Sequence, residues 1–259
     1  MLDIHQIEQY YPENLRGFRR FILREYLQYK ILEIVFNGPH ANKVVFLGGT
    51  CLRIVHGNQR FSEDLDFDNL LLSEPEFTEI SANITVQLER MGYETETKLV
   101  AKGAYHCHIR FPRLLFAQGL SGYEEEKILI QLDTEAQHFD YTAEKPILNK
   151  FDVFTKIAAT PLPLLMAQKC YAILNRPRNK GRDFFDLVFM MGRNISPDMA
   201  YLNQKLNIAT TVELRHRLLQ KCQSLDMAAM ATDVAPFLFN PNDEKKVRLF
   251  RDYLEGYSF

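Results

Sequence analysis

The stretch that decides the fold reads Lys43-Val44-Val45-Phe46-Leu47-Gly48-Gly49-Thr50-Cys51-Leu52-Arg53 and then, past a polar turn, Arg60-Phe61-Ser62-Glu63-Asp64-Leu65-Asp66-Phe67-Asp68. Its opening residues are a short apolar run bounded by turn formers, the pattern of a buried strand. The two glycines then open a short helix, with Cys51, Leu52 and Val55 at helical spacing. Glycine lets another group approach the backbone closely, and a helix N-terminus presents unpaired N–H groups with partial positive charge. The turn at Gly48 and Gly49 therefore reads as a phosphate cradle. Thr50 can cap the helix or bond a phosphate oxygen.

The second half alternates polar and apolar residues with a period of two, so it predicts a strand. Asp64 and Asp66 fall on one face, and Leu65 and Phe67 on the core face. Two carboxylates so placed repel each other unless a cation sits between them. Mg²⁺ is the hard, oxygen-seeking ion that such a pair holds together with triphosphate oxygens. Asp133, ending Ile128-Leu129-Ile130-Gln131-Leu132-Asp133, is placed to add a third carboxylate from a neighbouring strand. Taken singly, a Gly-Gly before a helix is a tight turn, and an Asp-x-Asp at a strand end is a solvated edge. Glu63 and Asp68 would also suit a plain acidic surface. The order strand, Gly-Gly-Thr, helix, Arg-Phe-Ser-Glu-Asp-Leu-Asp is what makes the block specific.

Outward from this block, residues 14–36 predict a helix ended by Asn37-Gly38-Pro39, and residues 75–91 a second helix ended by Gly92. Strands are expected over 93–100, 105–111 and 127–133, forming an antiparallel-rich sheet, and residues 136–160 form a connection with one or two short strands. After Pro161-Leu162-Pro163, apolar residues recur at three and four, with breaks near Pro177, Pro197, Thr210 and Pro241. The expected class is α+β: a mixed-sheet lobe with flanking helices over 1–160, then an all-helical lobe over 161–259, with the site in the cleft they form.

Composition narrows the functional classes. The 259-residue chain is long enough for a full core, 46% of it is hydrophobic, and its net charge of −2 shows no global basic field. Cys51, Cys107, Cys170 and Cys222 are far apart, which argues against a zinc site and for reduced thiols in the cytoplasm. No apolar run nears the roughly 18 residues of a membrane span, and the N-terminus lacks a secretory layout. His106 and His108 put two imidazoles on one strand face without an evident third ligand.

A second block lies in the helical half: Ala167-Gln168-Lys169-Cys170-Tyr171-Ala172, Arg176, then Gly181-Arg182-Asp183-Phe184-Phe185-Asp186-Leu187. Lys169 and Arg176 share a helix face, and so do Asp183 and Asp186. A cation at position 169 can meet a triphosphate; one of the two aspartates can hold Lys169 or Arg182, the other contact base, metal or acceptor. The loop Arg176-Pro177-Arg178-Asn179-Lys180-Gly181-Arg182 is the best candidate for gripping a polyanion, although a solvated loop has the same composition.

The first block resembles the opening motif of the AbiEii/AbiGii-type nucleotidyltransferases, within the DNA polymerase β-like superfamily: Gly-Gly-Thr, a variable helix, then Arg-Phe-Ser-x-Asp-x-Asp. The second is similar to that family's Lys-bearing helix and Arg-Asp-x-x-Asp motif. The resemblance covers residues 42–187. It implies transfer of a nucleoside monophosphate from an NTP, with Mg²⁺ or Mn²⁺, to an acceptor hydroxyl such as a tRNA 3′ end, and the role of a toxin with a cognate antitoxin protein. Asp64, Asp66, Asp133, Lys169 and Asp186 would be catalytic, the first three as metal ligands. Gly48, Gly49, Thr50, Arg53, Ser62, Lys169, Arg176, Arg182 and Asp183 would contact the nucleotide. The rival readings are a metal-dependent phosphodiesterase or RNase using the same carboxylates, and a nucleotide- or antitoxin-binding module without turnover.

Overall fold

A computed structural model describes residues 2–102 and 104–259. The chain groups into two compact units: one runs as far as Cys51 and resumes over Ser62–Ala159, and the other joins Leu52–Phe61 to Thr160–Phe259. The first block of sequence is thus divided between the two units, because Arg60 and Phe61 belong with the helices and Asp64 and Asp66 with the sheet.

The sheet unit is built on strands β1 (Val44–Leu47), β2 (Leu65–Asn69), β3 (Glu96–Lys102), β4 (Ala104–Phe111) and β5 (Ile128–Glu135), in the order β1-β2-β5-β4-β3. The β2–β5 pair is parallel and every other neighbouring pair is antiparallel, which makes the sheet mixed. A separate hairpin, β6 (Ile147–Lys150) with β7 (Val153–Lys156), occupies the expected connection. Helix α1 (Ile4–Glu8) is closed by an Asp3–Gln6 capping box, which satisfies two backbone donors reciprocally. Helix α2 (Arg19–Phe36) follows, then α3 (Gly48–Ile54), α4 (Glu74–Arg90) and α5 (Leu114–Ala117).

One face of the sheet is the core. Phe46, Phe67, Leu132, Cys107 and Ile109 are all at most 3% exposed, and each such apolar side chain contributes about 1.5–3 kcal/mol by leaving water. Phe67 packs against Phe46 and Phe36 with ring centroids 5.7 and 6.2 Å apart. Strand alternation then forces the residues between them, Asp66, Asp133 and His106, onto the opposite face. Asp68 departs from the acidic-surface reading: it is buried, accepts from the Gln137 amide and the Tyr141 hydroxyl, and burial raises its carboxyl above the usual range.

The second unit is helical: α6 (Leu162–Asn175), α7 (Gly181–Met191), α8 (Met199–Leu206), α9 (Thr211–Gln223), α10 (Met227–Val234), α11 (Lys245–Arg248) and α12 (Phe250–Glu255). Helices α7 and α10 approach so closely that a Cβ on Gly181 would overlap the Met230 carbonyl oxygen, and the Gly181 amide donates to Asp233 at 2.8 Å. Glycine opens α7 because nothing larger fits there. Residues 59–61 lie along residues 237–239, with Phe61 N donating to the Phe237 carbonyl and Phe239 N to the Gln59 carbonyl. The four cysteines are buried and unbridged, and among the described residues no helix is long and apolar enough to cross a membrane.

Candidate functional site

In the sheet unit the candidate site starts where β1 ends. Gly48 sits at φ +80°, a left-handed conformation that side chains avoid, and a Cβ there would overlap the Asp66 carboxylate and lie 3.0 Å from Asp66 Cβ. The glycine is therefore required twice over, by the turn and by the carboxylate lying against it. Asp66 is flanked on the other side by Asp133: the two are direct partners in the parallel β2–β5 register, so both carboxylates stand side by side on the less buried face. Asp64 lies one residue before β2, and its carbonyl accepts the Thr50 hydroxyl.

The segment leading to Asp64 is held by α2. Gln28, only 1% exposed, donates its amide to the carbonyls of Ser62 (3.0 Å) and Glu63 (2.8 Å), and Arg24 pairs with Glu63 at 2.9 Å. A buried amide must find partners, and Gln28 finds them in this segment. His106 also bears on the site. Its Nδ1 lies 2.7 Å from Asp133 Oδ1, and Gln131 donates to both Asp133 oxygens at 2.8 and 2.9 Å.

These contacts modify the expected metal set. Among the described residues no three His, Cys, Asp or Glu side chains already converge as a metal cage, and Asp133 is turned toward His106 and Gln131. Asp66 and Asp133 are adjacent through register; Asp64 stands at the strand mouth. Thr50 likewise differs from the expectation of a phosphate ligand, because it is fully buried and its hydroxyl is used on Asp64.

In the helical unit the second block forms a buried ionic network. Asp186 is fully buried. Its Oδ1 accepts from Asn58 Nδ2 and Arg60 Nε, each at 2.7 Å, and its Oδ2 from Arg60 Nη2 at 2.7 Å and Lys169 Nζ at 2.8 Å. Lys169 also donates to Asp183 Oδ1 at 2.8 Å, and Arg176 to Asp183 Oδ2 at 2.7 Å. Burial alone would push the Asp186 carboxyl up, but the charges of Arg60 and Lys169 hold it below the usual carboxylate range. Burial pulls Lys169 down, and Asp183 and Asp186 outweigh it, so its ammonium stays charged. Both aspartates thus hold Lys169, the part the sequence allowed for one of them. Asp186 and Asp183 spend their oxygens on cations within the unit, which leaves neither exposed to a ligand.

Two arginines expected at the nucleotide stack on rings. The Arg53 guanidinium lies 4.5 Å from the Phe239 centroid and donates to the Asn58 carbonyl, and Arg182 lies 4.9 Å from Phe237. Ser62 is partly buried at the start of the Asp64 approach and offers its carbonyl to Gln28.

His56, in the same segment as Asn58 and Arg60, provides a pH signature. Burial, and then the charge of Arg193, lower its pKa to about 4, and its Nε2 is buried without a hydrogen-bond partner among the described residues. An unfolded histidine titrates near 6.5, so between these values the unfolded chain binds the extra proton. Stability from this group is complete above about pH 6.5 and falls as the pH drops toward 4, by on the order of 2 kcal/mol. Urea denaturation of wild type and His56→Gln should give a stability difference that is flat above pH 7 and shifts in favour of the variant below 6.5. A difference independent of pH from 7 to 4 would contradict the assignment.

With this geometry in view, the model of the AbiEii family, described as a nucleotidyl transferase toxin of a type IV toxin–antitoxin system, matches residues 30–255. The chain belongs to the AbiEii nucleotidyl transferase toxin family. The reaction class of this AbiEii chain is accordingly nucleotidyl transfer. Two solved structures share the fold: JHP933 from Helicobacter pylori, with TM-score 0.53 and 15% identity over 91% of each chain, and a candidate nucleotidyltransferase from H. pylori, with TM-score 0.53 and 16% identity over 93% of this chain and 98% of that one. No curated protein matches the AbiEii chain described here.

Proposed function

We propose that this AbiEii chain moves a nucleoside monophosphate from an NTP to an acceptor hydroxyl, with a divalent ion held by Asp64, Asp66 and Asp133. The observation that carries the reading is the pair Asp66 and Asp133, in register on adjacent parallel strands, with Gly48 closed against Asp66. The donors suit the group: all are carboxylate oxygens, the ligand type of Mg²⁺, with Mn²⁺ as its nearest substitute. A divalent ion there offsets the charge of attacking and leaving oxygens.

The chain's own residues do the rest. Gly48 and Gly49 bring backbone N–H groups to the phosphates at the start of α3. Gln28 and Thr50 fix the backbone on either side of Asp64, and Gln131 and His106 orient Asp133. Lys169, held by Asp183 and Asp186, keeps one N–H for an anionic group; Arg176, Arg178 and Lys180 offer charge to a polyanion. In this reading Asp183 and Asp186 are positioning residues. The acceptor is an RNA 3′ end of the tRNA kind, and the biological role is that of a toxin countered by a cognate antitoxin.

The deciding experiment incubates the purified protein with Mg²⁺ and each α-labelled NTP over total RNA and over a protein fraction. Label is expected on RNA of unchanged or slightly greater length. RNA shortened without label would favour a phosphodiesterase, and nucleotide binding without label in either fraction a module lacking turnover; both overturn the proposal. Omitting the metal should abolish labelling.

A further inference from the structure

The helical unit contains a cavity that the transfer reading does not use. It encloses ≈ 320 Å³, within the roughly 300–1,000 Å³ of small-molecule sites. Its walls combine three aromatic rings, Phe185, Phe189 and Tyr253, with two cations, Arg193 and Lys246, and with Gln59. Every one of these residues lies in the 52–61 segment or beyond 160, so the cavity shares no residue with the carboxylate pair of the sheet.

The chemistry of the walls is specific. Arg193 is exposed, stacks its guanidinium 4.4 Å from the Phe189 centroid, and has no carboxylate partner among the described residues. A guanidinium stacked on a ring keeps its N–H donors directed edgewise, and its second face remains available to a flat ring. Lys246 stands 5.5 Å from the Phe185 centroid and is partly neutralised by Asp243 at 2.9 Å. Tyr253 is 41% exposed at the rim. Gln59 gives its amide nitrogen to the Gly57 carbonyl, which leaves its amide oxygen as an acceptor. The floor is rigid, because Asn58, the remaining amide, is fixed to Asp186.

We propose that this cavity binds a nucleotide: a flat base against Arg193 and the aromatic side chains, with its phosphate on Arg193 and Lys246. Aromatic stacking and a cation for the phosphate are the two ingredients by which proteins hold single-stranded nucleic acid. The same chemistry comes from two sources, a free mononucleotide or an unpaired nucleotide within single-stranded RNA. The site does not depend on the transfer reading, since binding here requires no metal.

The test measures binding to the full-length protein in EDTA, which removes the metal needed at the carboxylate face. Fluorescence anisotropy follows a labelled single-stranded hexaribonucleotide, calorimetry follows AMP, and a labelled RNA duplex is the comparison. Arg193→Glu and Lys246→Gln are the variants; both side chains reach solvent, and thermal unfolding verifies that each variant is folded. The single strand is expected to bind with marked salt dependence and to lose about tenfold or more in affinity in Arg193→Glu. AMP binding with the same loss would identify free nucleotide as a source, and its failure to bind would leave RNA as the source; either supports the site. The proposal is overturned if neither ligand binds, if both folded variants bind as wild type does, or if duplex binds as tightly as single strand with the same Arg193 dependence, for then no base is recognised.

Discussion

Arg60→Ala is expected to cost about 3–5 kcal/mol of stability, a large share of the roughly 5–15 kcal/mol that holds a domain folded. Arg60 is only 1% exposed, and its guanidinium meets Asp186 through two parallel hydrogen bonds of 2.7 Å while Nη1 donates to the Phe61 carbonyl at 2.9 Å. Removing it leaves the fully buried Asp186 carboxylate with Lys169 and Asn58 alone, so the loss reflects two missing charge-assisted hydrogen bonds at a carboxylate that cannot turn to water. Arg60→Lys should rescue only in part, because an ammonium cannot make the paired fork. The companion variant Asp186→Leu leaves Arg60 and Lys169 short of a counter-charge, whereas the double variant Arg60→Met, Asp186→Leu removes the most tightly paired charges together. Urea titration should therefore find the double variant less destabilised than the sum of its single changes, a coupling of the size seen for residues in one network. If the two effects simply add, the pair is not a unit. The acid limb follows from the same contacts: Asp186 is held below its ordinary range, so its contribution is complete above the unfolded carboxylate pKa and is lost as pH falls through the lowered value.

The second large effect is on activity. Asp66→Asn should lower nucleotidyl transfer by about 10³-fold or more, as expected when a preorganised charge is removed from a transition-state site. The substitution keeps shape, so Gly48 still closes against it, and it takes one negative charge away from a strand pair that also carries Asp133. Folding stability should therefore stay level or rise slightly. The informative comparison is thermal unfolding beside single-turnover transfer on the same preparation. A folded Asp66→Asn protein that transfers at the wild-type rate would remove Asp66 from the chemistry. A protein that loses both properties would make the aspartate structural.

The local part of this site was legible in the sequence. A strand ending in two glycines, and an Asp-x-Asp on the next strand, depend on neighbours within a few residues: on strand alternation, and on the left-handed backbone that Gly48 adopts at φ +80°. The strands of the sheet lobe and the helices of the second half come from the same short-range periodicity. Strand ends moved by a few residues, as with Tyr93, which precedes β3 at Glu96, because ladder partners rather than propensity end a strand.

Which distant groups meet is set by long-range packing. Asp66 faces Asp133 because β2 and β5 pair in parallel with that register, and a shift of one residue would have sent Asp133 to the core face. His106 reaches Asp133 through the antiparallel neighbour β4. Arg60 looks in the sequence like one more position of a motif around Asp64, yet it belongs with Asp186, 126 residues on. A buried charge has no local preference to reveal its partner; it takes whichever opposite charge the packing brings into the same dry space. The sequence by itself determined the elements and the chemistry available to them, while long-range packing determined that Asp186 and Asp183 hold cations within the helical unit instead of facing a ligand.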